Sequence, residues 1–314
     1  MKKILITGGG GFIGTHLAEN LCRENQVVIY DNLWRNSLLY VPALKQNPYV
    51  TIVQGDVLDG EKLEASMEGV DIVIHMAAIA GVSNYYKHPT KTLRVNIFGT
   101  VNVLEAMLKT GAKQMIDFST SEVYGVKAEN VDEESPHGIG PVSQQRWVYA
   151  VSKLASEHFT LRYGEEFGLK CTNVRPFNIY GPRQTGEGAI SNFARALIAG
   201  KPITIYGDGM DVRAWCYVSD MVEAVDKILN IPAAAGKAFN IGNTSQPVTT
   251  RQLAETAIKV FGKGDIEFAE REHAPIMYRS PDLTRAREIL GYEPQMNLEE
   301  GLKKTIEWFQ EVEG

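Results

Sequence analysis

Cysteine is scarce in this chain: Cys22, Cys171 and Cys216 are the only three among 314 residues, and they stand far apart. An odd, scattered set in apolar surroundings excludes a disulfide framework and a thiolate metal site, and no metal is expected. Runs of Lys or Arg are also missing. With 32 basic and 38 acidic side chains the net charge is −6, which argues against a nucleic-acid surface. No stretch approaches the roughly 18–20 apolar residues needed to span a bilayer. The opening "MKKILITGGGGFIG" sets two lysines before an apolar run, but Ile4–Thr7 is too short for a signal segment and reads as a strand entering a turn. The expectation is a soluble, cytoplasmic protein with neither membrane nor nucleic acid as partner. Internal repeats and low-complexity segments are absent too. What is present is an ordinary globular composition, 44% hydrophobic and 22% charged, in a chain long enough for one large domain or two associated ones.

Short apolar runs alternate with helix-prone stretches through the first half. Strands are predicted at 3–7, 26–30, 50–55, 71–76, 114–119 and 169–176, with helices at 12–24, 61–68, 89–110 and 147–167. That alternation predicts an α/β fold with a doubly wound parallel sheet of the Rossmann type. After about residue 176 Pro and Gly become frequent, as in "RPFNIYGPRQTGEGAI", and a smaller irregular lobe is expected over the carboxyl edge of the sheet. The predicted division is 1–175 for the dinucleotide domain and 176–314 for the substrate lobe. The two interleave through a returning strand near 214–243, read from "AGKAFNIGN" (235–243). A closing helix at 298–312 has an Asn cap before it.

"ILITGGGGFIGTHLAENL" follows a strand and opens a helix, with Gly8, Gly11 and Gly14 at three-residue spacing. Gly8 permits the tight turn, Gly11 lets backbone approach a pyrophosphate, and Gly14 lets helix and strand pack closely. The helix N-terminus then offers unpaired N–H groups and a positive dipole end to phosphates. Asp31 ends the second strand, where a carboxylate accepts ribose hydroxyls and repels a 2′-phosphate; Arg35 comes only four positions later. NAD is therefore predicted over NADP. Phe12, Ile13, Asn32, Asp56, Val57, Ala77, Ala78 and Asn96 are further cofactor candidates, Asp56 towards the adenine edge. His75, within an apolar strand, reads as a packed core residue.

"RWVYAVSKLASEHF" puts Tyr149 and Lys153 four apart on one helical face. A phenol is a poor base at neutral pH, but an ammonium and a nicotinamide cation beside it favour the phenolate. Tyr149 could then take a proton from a sugar hydroxyl while hydride passes to NAD⁺. Lys153 would also hold the nicotinamide ribose. Alone, such a pair is common in helices; after a complete dinucleotide loop and "STSEVYG" it reads as catalytic.

These motifs, with "HMAA", "VNIFGTVNVLEA", "RPFNIYGPR" and "GDGMDVRAWCYVSD", resemble the extended short-chain dehydrogenases/reductases of the nucleotide-sugar epimerase/dehydratase/decarboxylase group. The resemblance covers essentially the whole chain. It implies tightly held NAD, a nucleoside-diphosphate sugar substrate with UDP preferred, and a homodimer paired through the helices at about 92–110 and 149–167. It also implies that Thr120 assists Tyr149 at the sugar O4. Asn178 and Arg213 would contact the substrate diphosphate, with Ser121, Arg183 and Tyr206 as further substrate contacts.

All three reactions of the group begin with oxidation at C4. A 4-epimerase then only rotates the ketone, a 4,6-dehydratase needs an acid and a base at C5 and C6, and a decarboxylase starts from a uronate. Glu122, two before Tyr124, stands where the resembling dehydratases and decarboxylases carry a catalytic Glu. Ser121 replaces the Asp usual in dTDP-glucose dehydratases. "MYRSPDLTRAREILGYEP" resembles the Arg-x-Pro-Asp segment of UDP-glucuronate decarboxylases, whose Arg, here Arg279, is the proposed proton donor or carboxylate ligand. Tyr85 sits where such enzymes carry a substrate-facing Tyr. Ser280–Pro281–Asp282 is also a sound helix start, and "AGVS" resembles 4-epimerases. Decarboxylation of UDP-glucuronate is the expected reaction, with 4-epimerisation, 4,6-dehydration and a non-catalytic NAD-binding sensor as alternatives.

Overall fold

The computed structural model describes residues 1–126, 128–271 and 277–313. Seven parallel strands form the central sheet: β1 (Lys3–Thr7), β2 (Gln26–Asp31), β3 (Val50–Gln54), β4 (Ile72–His75), β5 (Gln114–Phe118), β6 (Lys170–Pro176) and β7 (Lys237–Ile241). Their spatial order is β7-β6-β5-β4-β1-β2-β3. The strands are apolar because both faces are covered. Ile4, Ile6, Ile74, Ile116 and Val174 face one core, and Leu5, Val73, Met115 and Cys171 face the other. Strand order reverses between β1 and β4, so the crevice at their carboxyl ends is where a ligand of such a sheet sits. The return to the sheet is made by Lys237–Ile241 alone; Cys216–Tyr217 pairs instead with Ile179–Tyr180 outside it.

Three helices position the site. α1 (Phe12–Leu21) follows the glycine loop, α2 (Gly99–Thr110) covers one face, and α3 (Val148–Phe167) packs beside it. The helix predicted over 89–110 is continuous but carries a π-helical turn at Arg94–Phe98. The wider turn accompanies the inward Asn96, which accepts a hydrogen bond from the Ile79 N–H at 2.8 Å and donates to Ser152 Oγ at 2.9 Å.

Beyond β6, the helices Ala189–Ile198, Thr250–Phe261 and Leu298–Glu313 close around Phe193, Leu197, Leu253, Leu302 and Phe309. Asn297 caps the last of them, accepting from the Glu300 N–H at 2.9 Å. A small mixed sheet joins Val248–Thr249, Val212–Arg213, Tyr278–Pro281 and Ala128–Val131. Its register sets Arg213 directly beside Arg279.

A buried polar network ties β6 to α3. Arg175 forms an ion pair with Glu157 at 2.7 Å, donates to the Tyr124 hydroxyl at 2.8 Å, and lies over that ring; Tyr124 donates on to Asn240 at 2.7 Å. Glu157 also accepts from Ser119. Replacing Arg175 by Met would leave Glu157 as an uncompensated buried anion. Arg175→Met should therefore cost about 3–5 kcal/mol, read as a lowered denaturant midpoint.

Candidate active site

The glycine loop is built by close approach. Gly8 has φ +72, and a Cβ there would lie 2.7 Å from the Ala77 backbone N; at Gly14 it would lie 2.6 Å from the Gly9 Cα. Gly14→Ala should cost about 1–3 kcal/mol of stability and weaken NAD binding together, measurable by denaturation and by titration. The loop opens into a cavity of about 780 Å³ at the strand-order reversal, lined by Gly8, Gly11, Phe12, Ile13, Gly14, Asp31, Asn32, Asp56, Val57, Ala77 and Ala78. Asp31 accepts from the Gly10 N–H at 2.9 Å and the Leu33 N–H at 2.7 Å, which fixes its carboxylate on the cavity wall. Asp56 accepts from the Leu58 N–H at 3.0 Å, so its side chain also shapes its own turn.

The chemistry-bearing residues line the same cavity: Thr120, Ser121, Glu122, Tyr149, Asn178 and Arg279. β5 ends at Phe118, and Thr120 caps a short 3₁₀ turn, Ser121–Tyr124, by accepting from the Glu122 N–H at 3.2 Å. Thr120 is also hydrogen-bonded to Tyr149. The Tyr149 phenol is pushed above its ordinary pKa, first by burial and then by the Glu122 carboxylate, with the Thr120 bond opposing. In the chain without cofactor, burial and Glu122 thus oppose the lowering expected from Lys153 and the nicotinamide cation. The Lys153 ammonium, almost fully buried, is held 3.6 Å from Asp117 instead.

Glu122 meets Arg279 at 3.8 Å. Burial lowers the Arg279 pKa while Glu122 raises it. Arg213, in register beside it, is lowered to about 10 by burial and by Arg279. Arg146 also bears on Arg213, Arg279 and Tyr85. Arg279 is thus the guanidinium that meets Glu122, with Arg213 and Arg146 near enough to Arg279 to act on it or be acted on by it, a local excess of positive charge suited to an anionic ligand.

A model of the NAD dependent epimerase/dehydratase family matches residues 4–242. The chain belongs to this family. It is 36% identical to UDP-N-acetyl-alpha-D-glucosaminuronate decarboxylase of Bacillus cytotoxicus, over 99% of this chain and 99% of that one. It is 33% identical to UDP-glucuronic acid decarboxylase 1 of Arabidopsis thaliana, over 98% of this chain and 70% of that protein. Among solved structures, UDP-glucuronic acid 4-epimerase from Bacillus cereus, in complex with UDP-glucuronic acid and NAD, superposes with a TM-score of 0.91 at 28% identity. That match covers 99% of both chains.

As a member of this NAD-dependent family the chain is an enzyme, and its glycine loop fits the cofactor, since only glycine at Gly8 and Gly14 lets the loop pack this closely on the Ala77 and Gly9 backbone at the cavity edge. Several residues assigned from the sequence lie elsewhere. Asn96 is buried and its polar atoms are used by Ile79 and Ser152, so it braces the cofactor wall from behind. Tyr85 is 1% exposed and stacks on Tyr149, ring centroids 6.2 Å apart and 9° from parallel; it backs the base and does not face the cavity. Arg183 pairs with Glu19 at 2.6 Å, clamping the lobe to α1. Tyr206 is 61% exposed, with its carbonyl taken by Arg271. Arg213 lies behind Arg279 and donates to the Val212 carbonyl at 2.8 Å. Asn178 keeps its place on the wall, donating to the Ala214 carbonyl at 2.9 Å. His75 is a core residue, its ring between Thr7 Oγ1 at 2.6 Å and Thr100 Oγ1 at 3.1 Å.

Two side chains escaped the sequence reading. Arg35 lines the cavity and donates to the Ala80 carbonyl at 2.9 Å, reaching the loop where Glu187 accepts from Ser83. Arg146 stands three residues before Tyr149, a spacing that could have flagged it as one helical turn from the base. Among the described residues no helix is long and apolar enough to cross a membrane, and no metal-ligand cluster occurs.

Proposed function

We propose that this NAD-dependent nucleotide-sugar enzyme decarboxylates UDP-glucuronate through a 4-keto sugar. The observation that carries the reading is the Glu122–Arg279 pair at 3.8 Å, lining the same cavity as Thr120 and Tyr149. The Bacillus cytotoxicus and Arabidopsis thaliana relatives, both uronate decarboxylases by name, support it.

When bound, NAD supplies the hydride acceptor for C4. Tyr149, hydrogen-bonded with Thr120, takes the C4 hydroxyl proton. The resulting ketone lies β to the carboxylate, so the C5–C6 bond breaks, CO₂ leaves, and its electron pair spreads over C5, C4 and O4. Arg279 binds the substrate carboxylate. A second anion drawn to a guanidinium already paired with Glu122 is repelled by that carboxylate, and loss of CO₂ relieves the repulsion. Glu122 then relays to C5 a proton taken from solvent, and Tyr149 gives its proton back to O4 as C4 regains the hydride, which leaves a UDP-pentose.

We further propose a homodimer. Val151, Phe159 and Phe167 remain 42%, 37% and 51% exposed along α3, and Phe98, 51% exposed, immediately precedes α2. These exposed apolar side chains support pairing through the two helices. Phe159→Glu should convert the dimer to monomer in sedimentation; a wild-type monomer would refute the pairing.

The reaction is tested by incubating the enzyme with NAD and UDP-glucuronate, UDP-glucose, UDP-N-acetylglucosamine or dTDP-glucose, then weighing the products. Loss of CO₂ from the uronate is expected. Loss of water would mean dehydration, an isomer of unchanged mass epimerisation, and binding without conversion a sensor.

A further inference from the structure

Asp117 lies in the middle of the sheet and belongs to neither the cavity wall nor the reaction just described. It occupies β5 between Ile116 and Phe118, in register with His75 on β4 and Asn173 on β6, and all three side chains are fully buried. Among the described residues neither carboxylate oxygen has a partner closer than the Lys153 ammonium, and burial pushes the carboxyl pKa up while that ammonium draws it down. A buried carboxylate with so few partners is costly, and an apolar side chain would suit this strand better. Its nearest cation is the Lys153 ammonium at 3.6 Å.

Among the described residues Lys153 has no other counter-ion. From α3, Glu157 is committed to Arg175, accepting at 3.0 Å from Nε and at 2.7 Å from Nη2. From β4, His75 is held neutral by burial and by Lys153 itself. From β6, Asn173 is uncharged, and Cys171 is kept as a thiol chiefly by burial. Glu122 faces Arg279 across the cavity.

We propose that Asp117 is a positioning residue: its buried carboxylate anchors the Lys153 ammonium, one helical turn from Tyr149 on α3, and sets the charge beside that phenol. The proposal rests on Tyr149 being the base for C4 oxidation. Around the phenol, Glu122 and Asp117 disfavour the phenolate while Arg35 and the Thr120 hydrogen bond favour it. Removing the Asp117 charge therefore removes one of the two anions that disfavour the phenolate at Tyr149.

The test uses the holoenzyme and Asp117→Asn. The acid limb of the pH profile for NADH formation in a single turnover should move to lower pH by about one unit, roughly tenfold more rate at a pH well below the limb. A uniform loss of rate with the limb unmoved, or a limb moved upward, would overturn the proposal. Two substrate-free measurements separate this outcome from a failure of the proposed reaction. Phenolate absorbance, with Tyr149→Phe as the blank, should show Tyr149 ionising at lower pH in Asp117→Asn. Lys153→Met should recover denaturant stability lost in Asp117→Asn, because it removes the uncompensated ammonium. No recovery in the double variant, or an unchanged phenol titration, would likewise contradict the role of Asp117.

Discussion

Tyr149→Phe should slow C4 oxidation about 10³-fold while leaving the fold and NAD binding intact. Phenylalanine keeps the ring, and that ring is held by the parallel Tyr85 at 6.2 Å, so what is removed is the hydroxyl hydrogen-bonded with Thr120. Burial and Glu122 keep the phenol protonated in the chain without cofactor, so wild-type oxidation should rise with pH up to the ionisation of Tyr149. The variant should lose that limb together with the rate. NADH absorbance during a single turnover reads both. Retention of rate and limb in Tyr149→Phe would assign the base elsewhere.

Glu122→Gln has the second largest expected effect, and its pattern differs. The amide is nearly isosteric and keeps the turn capped by Thr120, because the Thr120 bond uses the Glu122 backbone N–H. Oxidation at C4 should persist, since Thr120 and Tyr149 are untouched. The later step should fall about 10²-fold or more, because the amide can neither exchange a proton with C5 nor repel the substrate carboxylate. NADH should then accumulate before any pentose nucleotide appears. Equal rates of both steps in the variant would remove Glu122 from the mechanism.

The parts legible from the sequence share a cause. Gly8 and Gly14 are dictated by backbone approach within one loop, and Tyr149 and Lys153 by spacing within one helix; both are local constraints. The parallel sheet was legible because β1, β2 and β4, covered on both faces, read as short, nearly continuous apolar runs. The arginines were harder. Arg279 meets Glu122, and Arg213 stands beside Arg279, only through the register of a small sheet assembled from four distant segments. Arg183 and Asn96 were assigned to ligands because their residue types suit ligands, but Glu19, Ile79 and Ser152 had already claimed them. Tyr85 carries a similar lesson: it lies on the helix Val82–Lys87, whose packing stacks its ring on Tyr149. The turn of Lys153 towards Asp117 depends on one buried strand position, and "QMIDFS" gave no sign that its Asp faced a helix.

The central claim is that the cavity removes a carboxyl group from a uronate. The direct measurement supplies the NAD-loaded enzyme with UDP-glucuronate labelled at its carboxyl carbon and follows the label by carbon NMR. One equivalent of labelled bicarbonate for each substrate consumed, with a UDP-pentose as product, is the predicted result. A UDP-hexuronate epimer that keeps its label would contradict it.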